Sequence, residues 1–247
     1  MRFVVVLVIA LAGACRTPLD ELDGAFYAWD QRTVHCAVEI DDVAGFTLEQ
    51  IFAGMDRVRD SGEVLELLVH TPGVSMTMDH LEAVLAGARD RGLPFLTITE
   101  VLHGTPRAGI SLQYDDWHTK EWVDSMPLLD QYGAHVTLFV GRYPGMPPTA
   151  HLQLAALAAA GHDIEAHSIT HSRGPGYVEE HGLTTYLDEE VMPSLDLLRG
   201  DGYEVLSYAY PFGVRTEQTD HAILGRGVEM VRALAKPNEL RANPCPY

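Results

Sequence analysis

Basic residues are scarce in this sequence, and their scarcity limits what the protein can bind. The 247 residues include 17 lysines and arginines against 35 aspartates and glutamates, which gives a formal net charge of −18 at pH 7. Such a charge repels nucleic-acid backbones and anionic lipid headgroups. We therefore expect no nucleic-acid partner and a substrate that is neutral or cationic.

The apolar run at the N terminus is too short to span a bilayer as a stable helix. One basic residue, a short apolar stretch and a few small residues form the pattern of an export signal. Residues 1–14 resemble a bacterial lipoprotein signal, with Cys15 as the lipidated first residue of the mature chain and residues 15–24 as a tether. Residues 12–14 equally suit an ordinary signal peptidase. Either way we expect an exported protein of the cell envelope, attached to a membrane only through the Cys15 lipid and otherwise secreted.

Cysteine is also rare, with three residues in the whole chain. If Cys15 carries lipid, only Cys36 and Cys245 remain. Two remaining cysteines in an oxidising compartment are candidates for a disulfide. Two unpaired thiols are the alternative.

Strand-like and helix-like segments alternate along the chain, which predicts an α/β fold with a parallel sheet, open or closed into a barrel. The length is typical of one such domain. Strands are predicted at residues 33–40, 63–70, 93–99, 109–116, 134–140, 162–168, 204–213 and 228–235. Helices are predicted at residues 47–60, 77–91, 119–132, 149–160 and 184–199, with a short one from about residue 219.

Histidines and aspartates at predicted strand ends can form a metal site. His167 and His171 are spaced to hold one divalent metal with a carboxylate, leaving a position for water. Asp115 and Asp116 end another predicted strand, and the carboxyl ends of parallel strands share one face. One carboxylate can bind the metal while the other takes a proton from water. The alternatives are a chance histidine pair, since the chain has 12 histidines, and two aspartates that only cap the next helix.

Four segments have an order and spacing that resemble the polysaccharide deacetylase family, also called the NodB homology domain or carbohydrate esterase family 4. They are ISLQYDD, LLDQYGAHVTLFV, LAALAAAGHDIEAHSITH and LRGDGYEVLSYAYPFG. The resemblance covers residues 110 to about 234 and implies a distorted (β/α) barrel of the NodB type. It also implies a hydrolase that cleaves amide bonds in N-acetylated amino sugars of chitin-like or peptidoglycan-like polymers, or removes acetyl groups from O-acetylated polysaccharide.

The resemblance assigns roles to individual residues. Asp115 becomes the general base, and Asp116, His167 and His171 become the metal ligands. The backbone N–H of Phe212, in the Tyr-Pro-Phe-Gly motif, becomes the donor to the oxyanion. Zinc is the default metal for two histidines and a carboxylate, and cobalt or nickel can substitute for it.

Two features of the family are missing or altered in this region. The family often has an arginine just before the third motif, oriented on the catalytic aspartate, where this chain has residues 207–209, Ser-Tyr-Ala. Trp117 replaces the usual small residue after the aspartate pair, and with Tyr210 it is a candidate to bind a sugar ring. The missing arginine favours an alternative function, a catalytically inactive carbohydrate-binding envelope protein with a deacetylase-like barrel.

The family's late motif, an apolar strand that ends in Leu-x-His, is absent after Gly213. The motif occurs earlier, at residues 68–70, and its histidine is His70. By resemblance, His70 is the general acid and Asp41 orients it, with Asp42 as a rival for that role. The alternative is a structural histidine at the end of a buried strand.

A circular permutation explains this order of motifs. Residues 25–103 would correspond to the C-terminal part of the parent domain and residues 110–247 to its N-terminal part, joined by residues 104–109 into a single domain, 25–247. A Cys36–Cys245 bridge would then fasten the new ends. The alternative is that the first part forms a separate domain and the rest is a fragment.

Overall fold

The computed structural model describes residues 22–235 and Cys245. The predicted signal of residues 1–14, the lipidation site Cys15 and most of the tether at 15–24 lie outside the described residues. Within the described part of the chain, no helix has the length and apolar character needed to cross a membrane.

Seven parallel strands close into a barrel with helices around it. The strands of the sheet are β1 (Phe26–Tyr27), β2 (Val34–Glu39), β3 (Val64–Val69), β4 (Gly109–Asp116), β5 (Thr137–Val140), β6 (Asp163–Ala166), β7 (Ser207–Ala209) and β8 (Met230–Leu234). Their order around the barrel is β3-β2-β8-β7-β6-β5-β4, and pairing of β4 with β3 closes it. The short β1 runs antiparallel to the start of β3. Strands from both parts of the chain therefore complete one barrel, which confirms the predicted fold class.

The helices connect the strands on the outside of the barrel. They are α1 (Leu48–Ser61), α2 (Met78–Asp90), α3 (Ile98–His103), α4 (Thr119–Tyr132), α5 (Pro148–Ala159), α6 (Gly174–His181), α7 (Leu183–Tyr186), α8 (Met192–Gly200) and α9 (Glu217–Leu224). A π-helical turn, Leu187–Val191, joins α7 to α8. Pro193 follows it, and a proline removes an N–H donor that a regular helix would use.

Alternation along the strands separates the barrel interior from the layer under the helices. In β3, Leu65 and Leu67 pack into the main core with helix residues. Leu68, which points the other way, clusters with Ala37 and Leu234. The mostly apolar sequence of this strand thus reflects burial on both of its faces.

The strand predicted at residues 93–99 is wrong. The segment makes one isolated bridge, Phe95 to Ile110, and then starts helix α3. Thr97 caps that helix, because its side chain accepts from the N–H of Glu100 and its own N–H donates to the Glu100 carboxylate at 3.1 Å. This capping box outweighs the strand preference of the β-branched residues around it.

Cys36 on β2 and Cys245 form a disulfide. Their Cα atoms lie 6.1 Å apart, and the two residues are separated by 209 positions in sequence. The bridge joins the second strand of the sheet to the C-terminal part of the chain.

Candidate functional site

A pocket of ≈ 250 Å³ lies at the carboxyl ends of the barrel strands. Its walls bring together side chains from both parts of the chain, and its lining includes Glu39, Leu68, His70, Asp115, Asp116, His167, His171, Arg173 and Phe212. The alternative of a separate first domain predicts that His70 lies far from Asp115 and His167. The shared pocket contradicts that alternative.

His70 follows β3 and is held by Asp41, which follows β2. Its Nδ1 lies 2.6 Å from Oδ2 of Asp41, and its backbone N–H donates to the same carboxylate. Asp41 is buried and also accepts from Ser75. Asp42, the rival in the sequence, instead contacts His80 at 2.7 Å. With Nδ1 turned to Asp41, Nε2 is the ring nitrogen left for the pocket.

The charges around His70 favour its protonated form. Burial lowers the pKa of His70, but the hydrogen bond with Asp41 and the charges of Asp115 and Asp116 outweigh burial and raise the pKa to about 9. His70 therefore carries a proton at neutral pH and can give it to a leaving group.

Asp116, His167 and His171 form a group whose ligand atoms all lie within 4.8 Å of one another. Nε2 of His171 is 3.0 Å and Nε2 of His167 is 3.6 Å from Oδ1 of Asp116. Burial alone would raise the pKa of Asp116. The hydrogen bonds and charges of the two histidines outweigh burial, so the pKa of Asp116 lies well below its ordinary value.

These three residues fit a divalent metal. Oδ1 of Asp116 is buried and, within the part of the chain that the structure describes, accepts no hydrogen bond of normal geometry. Nδ1 of His167 lies 2.9 Å from the carbonyl oxygen of Ala209, which fixes that tautomer and leaves Nε2 as a ligand atom. Two imidazole nitrogens and one carboxylate oxygen are a usual donor set for zinc.

The loop that carries both histidines is fastened by Glu190, from the π-helical turn. The buried Glu190 carboxylate accepts from the hydroxyl of Ser168 at 2.5 Å, from the N–H of Thr170 at 2.9 Å and from the hydroxyl of Thr170 at 2.6 Å. Ser168 and His171 have φ values of 70° and 65°. Such left-handed backbone is costly for residues other than glycine, and the Glu190 contacts hold it.

Asp115 is paired with an arginine that the sequence did not reveal. The guanidinium of Arg232, on β8, donates to Oδ1 of Asp115. Arg232 is fully buried, and its Nε and Nη1 have no hydrogen-bond partner among the described residues. An arginine thus contacts Asp115 although residues 207–209, where the family often has one, contain none. Arg232 is the only charged residue of the apolar strand β8, and this could have indicated from sequence that it pairs with a buried carboxylate.

Phe212 lines the pocket, Trp117 adjoins it through His171, and Tyr210 does neither. Phe212 has a φ of 60° and its ring lies 4.6 Å from that of His171. The centres of the Trp117 and His171 rings lie 5.3 Å apart, and the two rings are nearly perpendicular. Tyr210, predicted to bind a sugar, is fully buried, and its hydroxyl donates to Asp220 at 2.9 Å. The prediction for Tyr210 is wrong, because its side chain packs with that of Tyr208 in the main core instead of lining the pocket.

Glu39 is a further acidic residue of the pocket that sequence reasoning missed. It ends β2, and its carboxylate lies within 4.8 Å of the ligand atoms of Asp41 and His70. Burial raises the pKa of Glu39. Its position at the end of a strand, two residues before Asp41, was the signal that could have found it.

A family model matches the sequence, and the fold resembles those of solved deacetylase structures. The polysaccharide deacetylase family model matches residues 103–231, just over half of the chain. No curated protein matches the sequence at a significant level. Among solved structures, the Streptococcus pyogenes deacetylase PplD in complex with acetate is 18% identical with a TM-score of 0.54, covering 70% of this chain and 92% of its own. A de-N-acetylase from Aggregatibacter actinomycetemcomitans is 13% identical with a TM-score of 0.55, covering 71% and 90%. The deacetylase domain of BpsB from Bordetella bronchiseptica is 15% identical with a TM-score of 0.51, covering 64% and 80%.

Proposed function

We propose that this chain, which belongs to the polysaccharide deacetylase family, is a metal-dependent hydrolase of the acetamide group in N-acetylated amino sugars. The polymer would be chitin-like or peptidoglycan-like, and O-acetylated polysaccharide is the second candidate. One observation carries the proposal: His70, Asp115 and the group of Asp116, His167 and His171 line the same pocket. A general acid, a general base and a metal donor set are what hydrolysis of an unactivated amide requires.

Asp116, His167 and His171 would hold the metal, with zinc as the first candidate and cobalt or nickel as substitutes. When bound, the cation supplies Lewis-acid activation of the acetyl carbonyl and of the attacking water. The carbonyl of Ala209 orients His167 by a direct hydrogen bond. The carboxylate of Glu190 orients the histidines indirectly, because it binds the loop that carries them.

Asp115 takes the proton from the attacking water. Arg232 donates to Oδ1 of Asp115, which leaves Oδ2 to face the reaction. Oδ2 lies 3.9 Å from Nε2 of His167, so the base stands next to the proposed ligands. The buried guanidinium holds this carboxylate in one orientation. This pairing supports an active enzyme over the inactive carbohydrate-binding alternative.

Departure of the amine requires a proton, and His70 is placed to give it. Its Nδ1 is engaged by Asp41, so the proton on Nε2 is the one available to the pocket. The backbone N–H of Phe212 donates to the oxyanion that forms when water adds to the carbonyl. The products are acetate and a free amine on the sugar.

The assignment of His70 rests on the proposed circular permutation. Three findings support it: the family match starts at residue 103, β2 and β3 complete the barrel between β8 and β4, and His70 lies at the carboxyl end of β3. The proposed export of the protein is supported by the Cys36–Cys245 disulfide, since such bonds persist in oxidising compartments.

The test is acetate release from chitin oligomers and from peptidoglycan, with and without chelator. We expect release that stops on exhaustive chelation and returns when zinc is added, and His167→Ala should be inactive. His162→Ala is a matched control, because His162 is a buried histidine at the opposite end of strand β6. Sugar binding without any acetate release would instead favour the inactive carbohydrate-binding protein.

A further inference from the structure

A second cavity adjoins the pocket and takes no part in the proposed chemistry. Its volume is ≈ 530 Å³, larger than that of the pocket itself. Trp117 connects the two spaces, since it lines the second cavity and its ring contacts that of His171, which lines the pocket. A polymer whose acetyl group enters the pocket must extend from it, and this cavity is large enough for a neighbouring sugar.

Arg142 supplies a cation to this cavity. Its guanidinium lies 4.0 Å from the centre of the Trp117 ring. Arg142 is exposed, and within the described residues no carboxylate forms a salt bridge with it. Stacking on an aromatic face leaves the N–H groups at the edge of the guanidinium, and these donors match the two oxygens of a carboxylate.

The backbone at Arg142 belongs to the same strained set as the pocket. Its φ is 55°, and the other described non-glycine residues with positive φ are Trp29, Gln31, Asp116, Ser168, His171 and Phe212. The last four of these lie at the pocket or in its histidine loop. The N–H of Arg142 also donates to the carbonyl of Ser168 at 3.1 Å. Strain of this kind persists where the surrounding structure over-determines it, commonly at functional sites.

We propose that the second cavity binds the sugar next to the acetylated one, and that Arg142 binds a carboxylate on that sugar. The inference rests on the proposed function and narrows its substrate class to acidic acetylated glycans. The other ionisable residues of the cavity are His118, Lys120 and Glu121. Lys120 is paired with Asp124 at 2.5 Å, so Arg142 is the cation presented to the ligand.

The net charge of −18 led us to expect a neutral or cationic substrate. A hydrogen-bonded ion pair acts at contact distance, whereas the field of distant surface carboxylates is screened beyond about 8 Å at physiological ionic strength. The local cation therefore decides which group binds in this cavity, and the overall charge acts mainly on the rate of approach.

The test compares each acidic oligosaccharide with its own carboxyl methyl ester. One probe alternates N-acetylglucosamine with N-acetylmuramic acid, and another alternates N-acetylglucosamine with glucuronate, so the two arms separate a lactyl from a uronic carboxylate. Binding is measured by calorimetry on the full chain with chelator present, which prevents turnover. Acetate release is measured separately with metal.

We expect at least one acid to bind about tenfold or more tightly than its ester, because hydrogen bonds to charged groups are among the stronger ones. Arg142→Gln should remove this preference, and Arg142→Lys should keep part of it. Arg89→Gln is the matched control and should keep all of it, because Arg89 stacks on Tyr132 on another surface at 5.0 Å.

Equal affinity for both acids and their esters would overturn this inference, and so would a preference that survives in Arg142→Gln. Neither result bears on the proposed hydrolase activity, which acetate release tests separately. Failure to release acetate from any oligosaccharide would instead count against the hydrolase itself, whatever the binding comparison shows.

Discussion

The two sides of the pocket are built in different ways. On the side of the proposed metal ligands, Asp116 and His171 have strained backbone, and the loop that carries His167 and His171 is fastened to Glu190. On the side of the proposed acid, the imidazole of His70 is held by the carboxylate of Asp41, 29 residues earlier in the chain. The His70 side chain remains 30% exposed. A metal needs fixed ligand directions, whereas a proton donor needs a suitable pKa and a path to the leaving group. The difference in construction suits the two tasks that we propose.

The largest loss is expected from Asp115→Asn, which removes the base that lies between the two sides. We expect kcat to fall by about 10³ to 10⁴, near the upper end for acid–base catalysis, with metal content unchanged. Acetate release and metal analysis on the same preparation measure this.

Asp220→Asn is the matched control, since Asp220 is also a buried aspartate paired with an arginine, Arg215. It should lower stability but leave kcat per folded molecule unchanged. Comparable losses in both variants would mean that Asp115 acts only through the fold.

His70→Ala tests the acid side alone. We expect kcat on an N-acetylated sugar to fall by about 10² to 10³. Hydrolysis of an aryl acetate should change far less, because a phenolate leaves without protonation. Metal affinity should stay the same.

His80→Ala is the control for this variant, since His80 is likewise bonded to an aspartate, Asp42, but does not line the pocket. An equal loss on amide and aryl ester in His70→Ala would contradict the role of His70 as acid.

Glu190→Gln should weaken the metal-ligand side without touching a ligand. The amide nitrogen cannot accept the hydrogen bonds from Ser168 and Thr170 that the carboxylate accepts. We expect metal affinity to fall by about 10- to 100-fold, measured by competition with a chelator of known affinity. Glu189→Gln is the control, because Glu189 contacts the exposed Tyr177 hydroxyl and not the loop. Unchanged affinity in Glu190→Gln would show that backbone strain alone suffices.

Asp41→Asn should give the smallest loss, and only at alkaline pH. The raised pKa of His70, about 9, keeps the acid protonated at lower pH, so kcat/KM should fall as pH rises through about 9. Without the Asp41 charge, burial pulls the pKa of His70 down, and the decline moves to lower pH. At pH 8 we expect a loss of roughly tenfold, with little loss at pH 6. In the control Asp42→Asn, the alkaline fall in kcat/KM should occur at the same pH as in the unmodified protein. If the fall also stays at that pH in Asp41→Asn, Asp41 does not set the pKa of His70.

Sequence reasoning was strongest where local pattern decides structure. The strand Gly109–Asp116 and the helix Thr119–Tyr132 have the predicted bounds. It failed at Thr97, where a capping box outweighed strand propensity, and at Tyr210, where the register of a short strand sets the direction of the side chain. Arg232 was missed because its partner Asp115 lies 117 residues away, and only closure of the barrel makes β8 and β4 face each other.

The closed barrel has a consequence for evolution. A closed ring of strands has no first member. The order of chemical groups around the barrel can therefore be inherited while the N terminus of the chain moves to a different strand. Relatives of such proteins are then better recognised by where their groups stand around the ring than by the order in which those groups are translated.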